Sequence, residues 1–307
     1  MSRGVGVAEW LSALPEWLVA FAALLTQLGD LWFLTLVIAS LYWLGPHTPR
    51  LGSAVDRERM ATVLGLLFLA IATTEALKGI FALPRPPWFV AAPASPFLPS
   101  ALDGLYASIA GASGYGFPSG HAIAVTMGWG GLAWAVRAGT WRRRTAMVAA
   151  VVATVCLARL VLGVHFLVDV LAGVAVAVLA LAVVVGIRRW GVGGRGPAVA
   201  LALALLMGMV GVATVGLSAH AAGAIGLPIG GILAWATAGR SALAVGGRDA
   251  ARLTALLGVV LVLPPLAVAV AGPVPPIGTL LIAAVAGGAV FALPLAGAWV
   301  DEKILNR

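Results

Sequence analysis

The sequence predicts an all-α membrane protein, built as a polytopic bundle of transmembrane helices. Of its 307 residues, 62% are hydrophobic and 10% are charged, and the mean hydropathy is +1.06. A soluble domain carries about 25% charged residues, so this composition excludes an ordinary soluble protein. Apolar runs of roughly 17 to 25 residues, long enough to cross a bilayer, recur along the chain and lack the alternating pattern of membrane β-strands.

Nine such runs predict about nine membrane spans. In chain order they cover residues 29–45, 61–83, 120–138, 145–164, 166–187, 197–217, 222–239, 253–272 and 277–299. A further apolar stretch, residues 17–28, is too short to cross the bilayer alone. It is either an interfacial helix or the start of one long, tilted first span. If it crosses separately, the count becomes ten.

The net charge of +8 indicates membrane topology rather than nucleic-acid binding. Cytoplasmic loops of membrane proteins collect Lys and Arg, and fifteen of the nineteen basic residues fall on one side of the nine spans. These fifteen are Arg50, Arg57, Arg59, Arg137, Arg142, Arg143, Arg144, Arg188, Arg189, Arg195, Arg240, Arg248, Arg252, Lys303 and Arg307. The other four are Arg3, Lys78, Arg85 and Arg159. Three of these four belong to the polar segments described below, which are therefore predicted to be extracytoplasmic.

The chain is predicted to divide at about residue 190. Residues 1–190 contain all three polar segments and a long irregular loop from about Pro84 to Pro118. A loop of this length is more often functional than a plain connector, and its aromatic side chains can lie at the membrane interface. These aromatic residues are Trp88, Phe89, Phe97 and Tyr106. Residues 191–307 form a C-terminal extension of four apolar spans with no polar motif, and the sequence assigns it no role.

Lys78 and Arg85 belong to the first polar segment, KGIFALPRP. They are seven residues apart, so they would lie nearly on one face of a helix that continued, and Arg85-Pro86-Pro87 predicts that the helix ends there. Two long cations at the outer end of a span can reach a lipid headgroup. The alternative interpretation is a pair of snorkelling cations at a helix end, with Glu75 as an ion-pair partner of Lys78.

The second polar segment, FPSGH, opens the third predicted span. Ser119 is a good N-cap residue, and the first free N–H groups of a helix form an anion site that the helix dipole strengthens. Gly120 lets the backbone approach a bound oxyanion, and His121 would stand in the first turn beside it. The alternative is an ordinary capped helix with a histidine near the interface.

Arg159, His165 and Asp169 form the third segment, RLVLGVHFLVD. His165 and Asp169 are four residues apart, so in a continuous helix the carboxylate could accept a hydrogen bond from the imidazole and fix its tautomer. Arg159 offers a planar fork suited to phosphate oxygens. The alternative is a buried His–Asp ion pair that closes two helices. Because all three segments are predicted at extracytoplasmic helix ends, they can converge on one site.

These segments resemble the three signature motifs of the type 2 phosphatidic-acid phosphatase superfamily, which also includes vanadium haloperoxidases. The resemblance covers roughly residues 30 to 187 and implies a six-helix phosphatase core. It implies that His165 is a nucleophile forming a phosphohistidine, that Asp169 orients it, and that His121 is the general acid and then the base. It also implies that the phosphoryl oxygens are held by Lys78, Arg85, Ser119, Gly120 and Arg159. No metal and no other cofactor is required.

The sequence and the resemblance together predict a metal-independent membrane phosphatase that hydrolyses a lipid phosphate or diphosphate at the extracytoplasmic face of the cell membrane. Phosphatidic acid, phosphatidylglycerol phosphate and a polyprenyl diphosphate are all candidate substrates. The alternatives are a lipid phosphotransferase using the same site, and a transporter or scaffold with a degenerate site, against which the intact catalytic residues argue. One departure from the family is Ala158, where the third motif usually has serine; losing that hydroxyl donor costs about 1–3 kcal/mol.

Overall fold

The protein is a bundle of α-helices, described here from a computed structural model. The structure describes residues 14–49, 51–87, 103–187, 195–262 and 274–305, together with the single positions 6, 101 and 265. The helices are α1 (Glu16–Thr26), α2 (Leu31–Leu44), α3 (Arg57–Phe81), α4 (Asp103–Ala110), α5 (Gly120–Ala135), α6 (Trp141–Val161), α7 (Leu167–Ile187), α8 (Gly196–Val215), α9 (Ala219–Ala244), α10 (Arg248–Leu261) and α11 (Pro276–Val300). No strand is found in the described residues, so the all-α prediction is confirmed.

Polar side chains fix where several helices begin. Asp56 caps α3 by accepting a hydrogen bond from the Arg59 amide at 3.1 Å. Thr140 caps α6 in the same way, accepting from the Arg143 amide at 3.3 Å. In an apolar medium such caps matter because the first N–H groups of a helix have no partner within the helix itself.

The chain is a membrane protein. Among the residues that the structure describes, six helices are long and apolar enough to cross a bilayer: α3, α6, α7, α8, α9 and α11. Helices α1 and α2 are together long and apolar enough to cross the bilayer as one broken helix, which is bent by 40° at a short 3₁₀ turn. Counting this pair as one span raises the number of candidate spans to seven. Helices α5 and α10, with 16 and 14 residues, are too short to be counted as candidate spans. A helix therefore lies at each of the nine predicted positions, while the count of nine spans stays a prediction.

Helix α3 occupies the centre of the bundle. In the most apolar 18-residue stretch of α3, 83% is buried, whereas the corresponding share is 28% for α6 and 22% for α7. Helices α5 and α2 pack on one side of it, and α8 and α9 of the C-terminal extension pack on another. One hydrophobic core therefore runs from the N-terminal half into the extension. The division of the chain at residue 190 stays a prediction, but the two parts share this core.

Direct hydrogen bonds also join α2 to α11. The Trp43 indole N–H donates to the Val290 carbonyl at 3.0 Å, and the Tyr42 hydroxyl donates to the Phe291 carbonyl at 3.3 Å. Both side chains are buried. A buried polar group without a hydrogen-bond partner is costly. These two bonds therefore stabilise the packing of the aromatic residues against the C-terminal extension.

One end of the bundle is rich in arginine. Arg57, in the first turn of α3, donates to the Val245 carbonyl after α9 at 2.6 Å and lies 2.9 Å from the His47 ring after α2. Arg59 donates to the Trp134 carbonyl near the end of α5 at 3.2 Å. The ends of four helices therefore meet here. Lys78 and His121 lie at the opposite ends of α3 and α5.

The structure changes the expected course of the chain around Arg85. Helix α3 ends at Phe81, one turn earlier than predicted, and Ala82 follows in the left-handed conformation with φ 47°. The stop signal is Pro84 rather than Pro86, because a proline disfavours helical geometry in the residue before it. Arg85 therefore lies in the segment after the helix. Of the predicted irregular loop, α4 carries Tyr106, while Trp88, Phe89 and Phe97 lie outside the described residues.

Candidate active site

The turn between α6 and α7 carries His165 and presents it to Asp169. The contact was predicted on the condition that one helix runs through both residues, and this condition is not met, because α6 ends at Val161 and α7 begins at Leu167. Asp169 instead lies in the first turn of α7, where its Oδ2 accepts a hydrogen bond from the Phe166 amide at 2.9 Å. This fold-back places Oδ2 3.5 Å from His165 Nδ1. The separation exceeds an ordinary hydrogen bond, but the buried carboxylate faces the imidazole as expected.

Arg85 links this turn to the loop before α5. Its Nη1 donates to the Val164 carbonyl at 2.9 Å, and its Nη2 donates to the Ser113 carbonyl at 2.8 Å. Its Nε donates to the Gly114 carbonyl at 3.1 Å. Nη1 also lies 3.4 Å from His165 Nε2, on the side of the ring opposite Asp169. The guanidinium therefore both supports the histidine turn and supplies positive charge beside the ring nitrogen.

The start of α5 packs tightly between α3 and α7. Ser119 is fully buried, its hydroxyl caps α5 at 3.5 Å from the Ala122 amide, and its own amide donates to the Asp169 carbonyl at 2.9 Å. The predicted N-cap is confirmed. A Cβ on Gly120 would lie 2.8 Å from Thr74 Cγ2, and one on Gly173 would lie 2.8 Å from the Ser119 carbonyl oxygen. Both glycines therefore allow the close helix contacts that bring the two motifs together.

His121 stands in the first turn of α5, where it faces a carboxylate from the N-terminal segment. Its Nε2 lies 3.7 Å from Asp30 Oδ2, at the break between α1 and α2. The sequence analysis gave Asp30 no role. The available signal was that it is the one acidic residue between positions 17 and 55, placed inside an apolar stretch. An ionisable residue in such a stretch is a functional candidate.

Arg159 is the most buried cation of the site. Its side chain is 2% exposed, and its Nε and Nη1 have no hydrogen-bond partner among the described residues. A buried guanidinium that lacks partners is costly, so its position needs an anionic group to complete it. The preceding residue, Ala158, packs in a small apolar cluster with Ala22 of α1.

Several of the predicted site residues affect His165, which lies outside both flanking helices. Burial, and then the positive charges of Arg159, Arg85 and Lys78, hold the pKa of His165 well below its usual range. The ring is therefore neutral and keeps a lone pair at physiological pH. With Asp169 near Nδ1, the proton is expected on that nitrogen, which leaves the lone pair on Nε2.

A cavity of about 190 Å³ lies beside this cluster, between the α1–α2 break, α3 and α5. Its polar lining residues are Asp30, Thr74, Glu75, Lys78 and His121. The structure thus brings all eight residues singled out in the three polar segments to one end of the bundle. Glu75, expected as a partner of Lys78, interacts with it electrostatically and shares the cavity.

Comparison with known protein families agrees with this arrangement. The family model described as the PAP2 superfamily matches residues 59–192. The match begins in the first turn of α3 and ends after α7, so it contains all three motifs and leaves α1, α2 and the C-terminal extension outside. None of the curated proteins and none of the solved structures compared with the chain matches it. Over residues 59–192 the chain is therefore similar to the PAP2 superfamily, whose members are generally phosphatase-type hydrolases.

Proposed function

We propose that the protein is a membrane phosphatase that hydrolyses a lipid phosphate or diphosphate through a phosphohistidine at the extracytoplasmic face. The observation that carries the proposal is the buried Arg159 guanidinium, which lies beside two histidines and two further cations. Its Nε and Nη1 have no hydrogen-bond partner in the part of the chain that the structure describes. A phosphoryl group would accept hydrogen bonds from these two nitrogens. The match of residues 59–192 to the PAP2 superfamily supports the same chemistry, since it suggests phosphatase activity on lipid phosphates.

The cations and the start of α5 would hold the phosphoryl oxygens. Arg159 offers two nitrogens in a planar fork, and Lys78 and Arg85 add charge from the far end of α3 and the segment after it. Ser119 would contribute its hydroxyl, and Gly120 would contribute its N–H group at the start of α5. Charge stabilisation of this kind is strongest for the transition state, where negative charge is spread over the equatorial oxygens.

His165 would attack phosphorus through Nε2. The nitrogen–phosphorus bond forms while the bond from phosphorus to the leaving oxygen breaks, and Asp169 stabilises the positive charge that develops on the imidazole. A protonated His121 gives its proton to the leaving oxygen. In the second step His121 removes a proton from water, the water oxygen attacks phosphorus, and His165 leaves as the neutral imidazole. Phosphate is released, and His121 is protonated again.

The position of the site supports a lipid substrate at the extracytoplasmic face. The arginine-rich end of the bundle, with Arg57 and Arg59, lies opposite the site, and Lys and Arg favour the cytoplasmic side. Near the site, Ile80 and Phe81 at the end of α3 are 51% and 48% exposed. Apolar side chains exposed at this end suit an acyl or polyprenyl chain whose phosphate enters the cationic cluster.

The test is phosphate release by the purified protein in detergent, from phosphatidic acid, phosphatidylglycerol phosphate and a polyprenyl diphosphate, with excess EDTA present. We expect release from at least one of the three and none by His165→Ala, because the site neutralises phosphate with its own cations. Loss of activity in EDTA that a divalent ion restores would contradict the mechanism. Adding a primary alcohol separates hydrolysis from transfer, since a transferase would form the alcohol's phosphate ester.

A further inference from the structure

We propose that Asp30 is a positioning residue for His121, so that the N-terminal segment completes the acid–base half of the active site. The inference rests on the proposed function, in which His121 protonates the leaving oxygen. It goes beyond the family match, which begins at residue 59 and leaves Asp30 outside. It therefore assigns a catalytic contribution to the broken helix α1–α2, rather than a role in anchoring alone.

The geometry places the Asp30 carboxylate where it can act on the imidazole. Oδ2 lies 3.7 Å from His121 Nε2, close to the 3.5 Å that separates Asp169 from the His165 ring. Asp30 occupies the N-cap position of α2, and its carboxylate also interacts with the backbone of Trp32 and Leu31 in the first turn of that helix. Each of the two histidines therefore has one carboxylate beside it, and the two carboxylates come from different parts of the chain.

Packing on both sides fixes the break that carries Asp30. A Cβ on Gly29 would lie 2.8 Å from Val155 Cγ1 and 3.2 Å from Val125 Cβ, so the backbone is held directly against α6 and α5. The indole N–H of Trp129 on α5 donates to the Leu28 carbonyl at 2.9 Å. A carboxylate held in this way is preorganised, which is what an orienting group near a catalytic base requires.

The charges around His121 explain why a carboxylate is needed there. To protonate the leaving oxygen, His121 must carry a proton, and it then stands among the positive charges of Arg159 and Lys78. Asp30 supplies a negative charge to the same group of residues, because it lies beside His121 and also interacts electrostatically with Arg159. Without it, the acid function of His121 is opposed by the cations that bind the phosphate.

The experiment compares Asp30→Asn with the wild type on two substrates, dodecyl phosphate and p-nitrophenyl phosphate. The alkoxide leaving group needs a proton, whereas p-nitrophenolate leaves without one. We expect kcat/KM to fall roughly 10- to 100-fold for dodecyl phosphate and less than about threefold for p-nitrophenyl phosphate. Asparagine is as good an N-cap residue as aspartate, so the start of α2 is preserved. Asp56→Asn, an N-cap substitution at the other end of α3, is the matched control and should leave both rates unchanged.

A double-mutant cycle with His121→Ala tests whether Asp30 acts through that histidine. If it does, adding Asp30→Asn to His121→Ala costs nothing further, whereas a merely structural role gives an additional loss. Equal losses on the two substrates, or additive losses in the cycle, would overturn the inference. If the wild type is active and Asp30→Asn matches it, this inference alone fails. If the wild type releases no phosphate from any substrate, the proposed function fails and takes the inference with it.

Discussion

Replacing Arg85 by lysine tests whether the site needs the hydrogen-bonding geometry of the guanidinium or only its positive charge. The guanidinium spans three carbonyls at once, those of Ser113, Gly114 and Val164, at 2.8, 3.1 and 2.9 Å. Lysine keeps the positive charge but donates from a single nitrogen, so it cannot join the loop before α5 to the turn that carries His165. Arg85→Lys should therefore misplace the nucleophile while leaving the net charge of the site unchanged.

The size of the effect follows from which bonds are protected from water. The bonds to Ser113 and Gly114 are exposed and contribute little, whereas the bond to Val164 is partly buried. One hydrogen bond from a charged donor is worth about 1.5–3 kcal/mol, which corresponds to a roughly 10- to 150-fold fall in kcat/KM. The loss should appear mainly in kcat, because the charge that binds phosphate is retained.

The assay is steady-state phosphate release from the best lipid substrate in detergent, with thermal unfolding measured on the same samples. Arg59→Lys is the matched control, because Arg59 donates to the Trp134 carbonyl at the opposite end of the bundle. The control should keep wild-type kcat/KM. An Arg85→Lys variant within twofold of the wild type, or one that changes KM alone, would refute the argument that Arg85 holds the histidine turn.

Three further predictions concern the histidines and the orientation of the chain. In rapid-quench experiments with p-nitrophenyl phosphate, His121→Ala should accumulate an acid-labile phosphoenzyme and His165→Ala should form none; a phosphoenzyme in His165→Ala would reverse the assigned roles. Because the pKa of His165 is lowered, its phosphorylation in the His121→Ala variant should persist as the pH falls through about 6.5, the ordinary imidazole value, and decline only at more acidic pH. A decline centred at or above that value would contradict the buried, cation-surrounded ring. On a Cys156→Ala background, an impermeant thiol reagent added to intact cells should label Ser113→Cys and spare Gly139→Cys; the opposite pattern would place the site in the cytoplasm.

The helices were predictable from composition because a bilayer demands long apolar runs, and each of the nine runs coincides with a helix. What sequence spacing could not give was the path of the chain between helices. The i, i+4 spacing predicted that His165 and Asp169 would meet if one helix ran through both, yet they meet because Asp169 folds back on the amide of Phe166. Arg85 was expected on the face of α3, yet it reaches the site through carbonyl contacts after the helix has ended.

The same limit explains why Asp30 was not identified from the sequence. Each of the three motifs is recognised because its polar residues lie within about ten positions of one another in the sequence. Asp30 is separated from His121 by 91 positions, and no local pattern connects them. Their contact depends on how Gly29 seats the α1–α2 break against α5 and α6, which is a property of tertiary packing.

The central position of α3 has a consequence for how the protein is made. During synthesis α3 is complete long before α8, α9 and α11 leave the ribosome, so the helix that carries Lys78 enters the bilayer without the neighbours that later surround it. The two ends of α3 are charged, with Arg57 and Arg59 at one end and Lys78 at the other. Until α8, α9 and α11 have been inserted, we expect these charges to lie in the two headgroup layers. The C-terminal extension thus covers α3 only after that helix has entered the bilayer, and a chain that stops before α8 would leave one side of α3 facing lipid.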